Sequence, residues 1–352
     1  MERMEIPAYL ANIVSQNVNP NELARVIVKH RERYLVQSSE GILQAEITGN
    51  IRFSARSRSD FPAVGDWVRI TKMDQDSAII LEVFPRNTIL SRQAVGKQGE
   101  EQVIASNIDV AFIVQSVGHD FNLNRLERYL SICNTTGIHP IMLLTKTDLI
   151  DESELRILTE KVMHRRPELK LLAISNENGT GLELLQNMLE EGKTYCFLGS
   201  SGVGKSTVIN QLLRENAIRT SEISVSTSKG KHTTTHRELF RLPNGSFVID
   251  TPGMRELGMT SESSGVELTY DQISELGKNC RYSNCTHSGE KGCAVMAAVE
   301  SGELAEDIYG NYLKLKREQE HFLSTTHDKK REGKIFGKIV KEAVKERKKN
   351  KF

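Results

Sequence analysis

The sequence predicts a multidomain protein: an N-terminal all-β barrel of the OB type, a central α/β domain and a C-terminal, mainly helical domain that carries cysteines. Three observations indicate this arrangement. Short β-rich runs fill the first hundred residues, strands alternate with helices from about residue 103, and three of the five cysteines fall between residues 280 and 293. A chain of 352 residues is long enough for two or three domains that each bury a core.

The composition is that of a soluble protein. Charged residues make up 26% of the chain, the mean hydropathy is −0.39, and no apolar run approaches the roughly 18 to 20 residues of a membrane span. The first seven residues, Met1–Pro7, lack the apolar core of a signal peptide. We therefore expect a cytoplasmic protein with no membrane partner.

The net charge of +1 hides a basic C-terminus. Residues 328–352 contain eleven Lys and Arg against four acidic residues, which is +7, and leave −6 on residues 1–327. Apolar residues at i, i+4 spacing within residues 334–352 fit a basic amphipathic helix, for which RNA, a membrane surface and a calmodulin-like protein are candidate partners. We favour RNA, with a plain solvated tail as the alternative.

Five β-rich runs separated by turn signals indicate the strands of a small barrel: Leu23–Val28, Tyr34–Gln37, Ile42–Ile47, Trp67–Thr71 and Ile79–Val83. A five-stranded barrel of the OB type binds oligonucleotides on one face. The segment Arg52–Arg58 places three Arg beside Phe53 in an expected loop, which suits phosphate contact and base stacking. An ordinary solvated basic loop is the alternative.

The remainder of the chain divides by pattern. Strands that alternate with helices predict a parallel α/β sheet, with strand candidates Val110–Gln115, Pro140–Thr145, Lys170–Ile174, Thr194–Leu198, Glu238–Leu242 and Ser246–Asp250. We assign residues 1–100 to the barrel and an N-terminal extension, 101–265 to the α/β domain, 266–327 to a metal-binding domain and 328–352 to the basic tail.

The strongest motif is a P-loop, which follows the apolar run Tyr195–Leu198 and precedes a helical segment. Its glycines let backbone N–H groups wrap phosphates at a helix N-terminus, Lys205 is expected at the β and γ phosphates, and Ser206 is expected to bind Mg²⁺. The expected nucleotide contacts here are Gly199, Ser200, Ser201, Gly202, Val203, Gly204, Lys205, Ser206 and Thr207.

A second phosphate motif follows about 45 residues later. The strand-like run Phe247–Asp250 leads into Thr251-Pro252-Gly253, so that Asp250 would hold the metal through water and the Gly253 N–H would sense the γ-phosphate. Between the two motifs, Lys229–His236 contains three consecutive threonines and has the length of a switch loop. We expect one of these threonines, Thr234, to complete the Mg²⁺ shell.

Base selection is predicted from two earlier strands. Ile141–Leu144 runs into Thr145, Lys146, Thr147 and Asp148, where a carboxylate can accept both guanine N1–H and N2–H₂ and the Lys stem can cover the ring. After the next strand, the backbone N–H of Asn176, beside Ser175, is expected at guanine O6. These motifs favour GTP over ATP, and an ATPase is further disfavoured because no strand ends in Asp-Glu.

The order of the motifs is permuted. The base-reading motifs at 145–148 and 175–176 precede the P-loop at 199, whereas an ordinary small GTPase has them last. Joining the old termini and cutting new ones builds the same sheet when termini lie close together at the surface. The sequence thus predicts a circularly permuted P-loop GTPase domain.

Four metal-ligating side chains fall within fourteen residues: Cys280, Cys285, His287 and Cys293. Three thiolates and an imidazole form a closed tetrahedral set for one structural Zn²⁺ ion. Buried reduced cysteines are the alternative, which is also our interpretation of Cys133 and Cys196.

With these motifs the chain resembles one family, the bacterial ribosome small-subunit-dependent GTPase A, over about residues 20–325. The resemblance also rests on Val64–Val68, Ala105–Asp109, Gly230–Thr235 and Cys280–His287. It implies an OB barrel, a permuted GTPase domain and a zinc domain. It also implies a role in late maturation of the small ribosomal subunit, with faster GTP hydrolysis when the protein is bound to that subunit. The implied partners are that subunit and its rRNA, and GTP and GDP, with the chain a monomer.

Two residues depart from the family pattern. Thr145 stands where the family has Asn, which is expected to remove an amide that braces the P-loop and touches the base. Asn176 stands where the family has Ala, which matters less because the expected contact there is from the backbone.

Catalysis is not fully assigned by the sequence. Met254 follows Gly253 where many GTPases carry a water-orienting Gln, so intrinsic hydrolysis is expected to be slow. His232 and His236 are candidates for positioning water, with a solvated role as the alternative. Two functions follow: a GTPase that acts as an assembly checkpoint, or an RNA-binding module that its nucleotide tunes and whose hydrolysis is incidental.

Overall fold

The computed structural model describes residues 6–11, 18–30, 33–93, 101–118, 120–214, 237–250 and 264–321. Two compact units form the chain, residues 1–91 with 103–257 and residues 92–102 with 258–352. The strands are β1 Leu23–His30, β2 Arg33–Ser38, β3 Gly41–Ile47, β4 Trp67–Lys72, β5 Ser77–Val83, β6 Ile89–Gln93, β7 Glu101–Ser106, β8 Val110–Ser116, β9 His139–Thr145, β10 Leu171–Ala173, β11 Thr194–Leu198, β12 Glu238–Arg241 and β13 Phe247–Asp250. The helices are α1 at residues 8–11, α2 Gly49–Ser54, α3 Leu123–Thr136, α4 Glu152–Arg165, α5 Leu182–Asn187, α6 Lys205–Leu213, α7 Ser264–Thr269, α8 Asp271–Gly277, α9 Ala294–Ser301 and α10 at residues 306–321.

The first five strands close into a barrel. Strands β1, β2 and β3 form an antiparallel meander, β3 pairs in parallel with β5, and β4 pairs with both β5 and β1. Alternate side chains point inward and form one apolar core, made of Ala24, Val26, Tyr34, Val36, Leu43, Ala45, Ile47, Val68, Ile70, Ala78 and Ile80. The prediction of a five-stranded OB-type barrel is confirmed.

The basic segment Arg52–Arg58 is not the loop that the sequence predicts. Helix α2 covers its first half, because the Thr48 hydroxyl accepts a hydrogen bond from the Ile51 N–H and caps the helix N-terminus. A 3₁₀ turn, Arg58–Asp60, ends the segment, where the Asp60 carboxylate accepts from the N–H groups of Arg56 and Ser57 at 2.7 and 3.0 Å. Local capping thus orders a stretch that lacks an apolar pattern.

The α/β part of the same unit has strand order β10-β9-β8-β11-β13-β12. The first five of these strands are parallel to one another, as the alternation of strands and helices predicts. Strand β12 departs from that prediction and runs antiparallel to β13. Leu242 and Ser246 close a tight turn between them at 2.8 Å, and so short a connection cannot make a parallel crossover.

The barrel and the α/β sheet form one continuous sheet of eleven strands. Strand β12 pairs with the barrel strand β1, with Val28 opposite Glu238. At the junction Arg25 is buried between the rings of Trp67 and Phe247 and donates to the Thr194 hydroxyl at 2.7 Å. Burial lowers the pKa of Arg25 to about 10, still far above neutral pH, so its charge is kept.

A buried carboxylate completes the junction. Asp66 accepts two hydrogen bonds from Arg86, at 2.7 and 2.6 Å, one from the Ala63 N–H and one from the Ser106 hydroxyl. Beside it Gly65 packs so closely that a Cβ there would lie 2.2 Å from the Ser106 carbonyl oxygen. The segments around Val64–Val68 and Ala105–Asp109 therefore meet in space.

The second unit is mainly helical, as predicted. Helices α7 to α10 enclose Val266, Ile273, Val295, Ala298, Leu304 and Leu315. Tyr270 packs edge-on against Tyr312 at 5.5 Å, and the Tyr270 hydroxyl accepts from the Asn311 amide at 2.7 Å. In the part of the chain that the structure describes, no helix has both the length and the apolar character needed to cross a membrane.

We predict that Gly65→Ala destabilises the first unit by at least about 2 kcal/mol, because the new Cβ would overlap the Ser106 carbonyl and the φ of +92° is strained for alanine. Urea unfolding of the full chain measures the effect. Gly49→Ala is the matched control, since a Cβ at Gly49 meets nothing within 4 Å. Equal midpoints for the two variants would contradict the role of Gly65 at the junction.

Candidate functional site

Four predicted motifs leave the sheet at one edge. The P-loop follows β11, the segment Thr145–Asp148 begins at the last residue of β9, Ser175 and Asn176 follow β10, and Asp250 ends β13. These strands are parallel, so their carboxyl ends lie on the same side, which is where open α/β sheets bind ligands. The strand order of the sheet thus brings the four motifs to the same side.

The P-loop has the conformation that its glycines permit. Gly202 and Gly204 have φ of 84° and 95°, and Gly204 directly precedes helix α6. The Lys205 ammonium lies over the loop and donates to the carbonyls of Gly199 at 2.8 Å and Ser200 at 2.6 Å. A cation and the positive end of a helix dipole therefore coincide, which favours a bound anion.

The side chain of Thr145 contacts the backbone of the P-loop. Its side chain is fully buried, and its hydroxyl donates to the Val203 carbonyl at 2.6 Å, with the Gln115 carbonyl at 3.3 Å. The expectation that Thr145 removes a brace from the P-loop is therefore wrong, because a hydroxyl is long enough to reach Val203. The hydroxyl has one proton, and this contact uses it.

The two base-reading segments are joined to each other. The Ser175 hydroxyl donates to the Asp148 carboxylate, and it accepts from the N–H groups of Glu177 and Asn178. Lys146 has a left-handed backbone, with φ of 59°, which turns the chain away from β9 and toward Thr147 and Asp148. Sequence-predicted residues from two separate strands are thus brought together, with the Asp148 carboxylate oriented by Ser175.

One contact was not predicted from the sequence. The Gln211 amide on α6 donates to the main-chain carbonyl of Asn176 at 2.9 Å, which ties the base-reading segment to the P-loop helix. Its only sequence signal is its position four residues after Thr207, on the same helix face.

Asp250 ends β13 beside the P-loop strand, with Cys196 of β11 opposite Ile249. The rest of its motif lies outside the described residues, and so do Lys229–His236 and Met254. The predictions for Gly253, Thr234, His232 and His236 therefore fall on parts of the chain that the structure does not describe.

The predicted metal ligands form a cluster in the second unit. One ligand atom each from Cys280, Cys285, His287 and Cys293 lies within 4.8 Å of every other. The His287 Nδ1 is 3.5 Å from the sulfurs of both Cys280 and Cys293. Atoms held at about 2.0 to 2.3 Å around one metal ion have separations of this size.

The surroundings of the cluster favour metal binding. Burial lowers the pKa of His287, which keeps its imidazole neutral and able to act as a ligand. The Tyr309 hydroxyl donates to the His287 carbonyl at 2.5 Å. The Glu290 carboxylate accepts from the N–H groups of Thr286 and Ser288, which orders the loop that carries His287. The cluster can hold a metal ion. Cys133 and Cys196 are buried free thiols, as expected.

A groove of about 760 Å³ is lined by residues of β2, β3 and β5 together with His30, Arg33 and Met73. A separate surface feature is Phe53 on α2, whose side chain is 93% exposed. Nucleic acids bind OB-type barrels on such a face through cationic and aromatic side chains.

Comparison with known proteins gives a consistent result. A family model described as RsgA GTPase matches residues 83–260. The small ribosomal subunit biogenesis GTPase RsgA 1 of Bacteroides thetaiotaomicron is 37% identical over 326 residues, covering 93% of this chain and 91% of the relative.

Two solved structures are similar to most of this chain. YjeQ from Thermotoga maritima has a TM-score of 0.61 at 26% identity, covering 85% of this chain and 98% of that one. YloQ, described as a circularly permuted GTPase, has a TM-score of 0.59 at 24% identity, covering 87% and 95%, and supports the fold alone. The permuted fold predicted from the motif order is confirmed.

We predict one bound metal ion per purified chain and its loss in Cys285→Ala, because removing one of four ligands opens the cluster. Metal analysis of the purified proteins measures this. Cys133→Ala, which removes a thiol that is buried outside the cluster, is the control and keeps the metal. Full metal retention in Cys285→Ala would rule out the assigned ligand set.

Proposed function

Because the chain belongs to the RsgA GTPase family, we propose that it hydrolyses GTP to GDP and phosphate in the maturation of the small ribosomal subunit. The observation that carries this proposal is that both predicted base-reading segments contact the P-loop and its helix. Thr145 contacts Val203 and Asn176 contacts Gln211, and the side chains of Thr145 and Asn176 both lie beside Gly204. A phosphate cradle and a purine-reading carboxylate on one sheet edge fit a guanine nucleotide.

In this proposal the phosphates lie on the backbone N–H groups of Gly199–Thr207. Lys205 exchanges its two loop carbonyls for the β and γ phosphates. Ser206 and Thr234 would hold Mg²⁺, Asp250 would act on it through water, and the Gly253 N–H would contact the γ-phosphate. The metal supplies charge neutralisation of the phosphates.

Guanine is recognised by Asp148, whose carboxylate is already oriented by Ser175. It accepts from N1–H and N2–H₂, a pair of donors that adenine lacks. The stem of Lys146 covers one face of the ring, and the backbone N–H of Asn176 reaches O6.

Hydrolysis depends on a partner in this proposal. Met254 has no group that can orient water, so the unstimulated rate is slow. Binding to the small subunit positions the attacking water, with His232 and His236 as the candidate groups.

The remaining parts provide contacts with rRNA. The barrel of residues 1–100 offers its groove, Phe53 and the arginines 52, 56 and 58, and the tail 328–352 adds a charge of +7. One zinc ion held by the three cysteines and His287 stabilises the domain at 266–327, which lies after the GTPase domain of 101–265. The chain acts as a monomer in the cytoplasm.

We predict that small ribosomal subunits raise GTP turnover at least tenfold, a barrier change of about 1.4 kcal/mol, and that large subunits do not. Lys205→Ala abolishes turnover because the phosphates lose their cation. Phosphate release in the steady state measures both effects. Lys193→Ala removes a half-exposed lysine at the other end of β11 and is the control. Turnover indifferent to small subunits would favour an RNA-binding module with incidental hydrolysis.

We predict that Asp148→Asn weakens GTP binding roughly 30- to 1,000-fold, equivalent to about 2 to 4 kcal/mol for two charge-assisted hydrogen bonds, and improves XTP binding. Titrations with GTP, XTP and ATP measure the change. Asp151→Asn removes a nearby exposed carboxylate but keeps the cap of α4, so its selectivity stays that of the unmodified chain. An unchanged GTP preference in Asp148→Asn would refute the base assignment.

A further inference from the structure

The side chain of Asn176 lies between the base-reading segment and the P-loop. Its main-chain carbonyl is fixed by Gln211, and its Nδ2 atom is 3.1 Å from the point that a Cβ on Gly204 would occupy. The Thr145 hydroxyl is 3.9 Å from the same point. Two polar side chains therefore converge on Gly204, the residue that directly precedes the P-loop helix.

These two side chains differ in the hydrogen-bond donors that remain available for a ligand. The single hydroxyl proton of Thr145 is engaged with Val203, so Thr145 has no donor for a ligand. The buried Oδ1 atom of Asn176 has no hydrogen-bond partner among the described residues. The Nδ2 group of Asn176, which lies beside Gly204, is the donor that this side chain can offer to a ligand.

The position of Asn176 identifies those matching groups, given the proposed function. A guanine whose N1–H and N2–H₂ face Asp148, and whose phosphates lie at Lys205, turns its remaining polar edge toward Ser175 and Asn176. That edge carries O6 and N7, both acceptors. The NH₂ group of Asn176 lies on the side of the P-loop, where it can donate to such an acceptor.

We propose that the side-chain amide of Asn176 donates a hydrogen bond to guanine N7 and so positions the base relative to the P-loop. Two tasks are then divided between two residues: Thr145 braces the P-loop, and Asn176 contacts the base. This inference rests on the proposed function, because it requires a guanine nucleotide at the P-loop.

The test compares GDP with 7-deaza-GDP, in which a C–H group replaces N7 and cannot accept a hydrogen bond. The full-length chain is expected to bind 7-deaza-GDP about three- to tenfold more weakly than GDP, the range for one neutral hydrogen bond. Asn176→Ala is expected to lose the same factor for GDP and to bind both nucleotides equally. Glu177→Gln alters the next, exposed residue and keeps the discrimination.

The outcomes separate the two claims. A chain that binds ADP as tightly as GDP contradicts the proposed function. A chain that prefers GDP over ADP but binds 7-deaza-GDP as tightly as GDP overturns the Asn176 assignment alone, and this comparison needs no variant. An Asn176→Ala variant that still binds GDP more tightly than 7-deaza-GDP also overturns it. The thermal midpoint of the nucleotide-free variant shows separately whether the variant is folded.

Discussion

The buried carboxylate of Asp66 is the interaction on which the first unit depends. It accepts hydrogen bonds from the barrel backbone at Ala63, from Arg86 after β5 and from Ser106 at the end of β7. Removing one partner of such a buried ion pair typically costs about 3 to 5 kcal/mol, because the remaining charge is left unpaired. This polar contact therefore fixes the barrel to the end of β7, the strand that precedes β8 of the α/β sheet.

The same contact reaches the basic segment of the barrel. Arg86, held by Asp66, donates from Nη1 to the Ser59 carbonyl at 2.6 Å and from Nη2, which also contacts Asp66, to the Phe61 carbonyl at 2.9 Å. These residues follow α2 and its exposed Phe53. The end of the proposed RNA-contacting segment is thus fixed by a charge pair whose carboxylate is fully buried.

The sequence predicted the features that arise from long patterns and missed those that arise from single contacts. The barrel strands and the parallel strands were found because apolar alternation and buried runs extend over several residues. Helix α2 was missed because it depends on one cap at Thr48 and has no buried face. The brace from Thr145 and the contact of Gln211 were missed because they join segments 58 and 35 residues apart, which only the strand order brings together.

The contacts that Lys205 makes with the P-loop backbone reduce the net free energy that phosphate binding can gain at this site. Its ammonium already has two carbonyl ligands, from Gly199 and Ser200, so in the proposed function nucleotide binding would be an exchange of ligands on one cation. The free energy gained is the difference between phosphate and carbonyl oxygens, less than the phosphate contact alone would provide. When the phosphates leave, the carbonyls reclaim the ammonium, so the loop itself competes with the product for its most important cation.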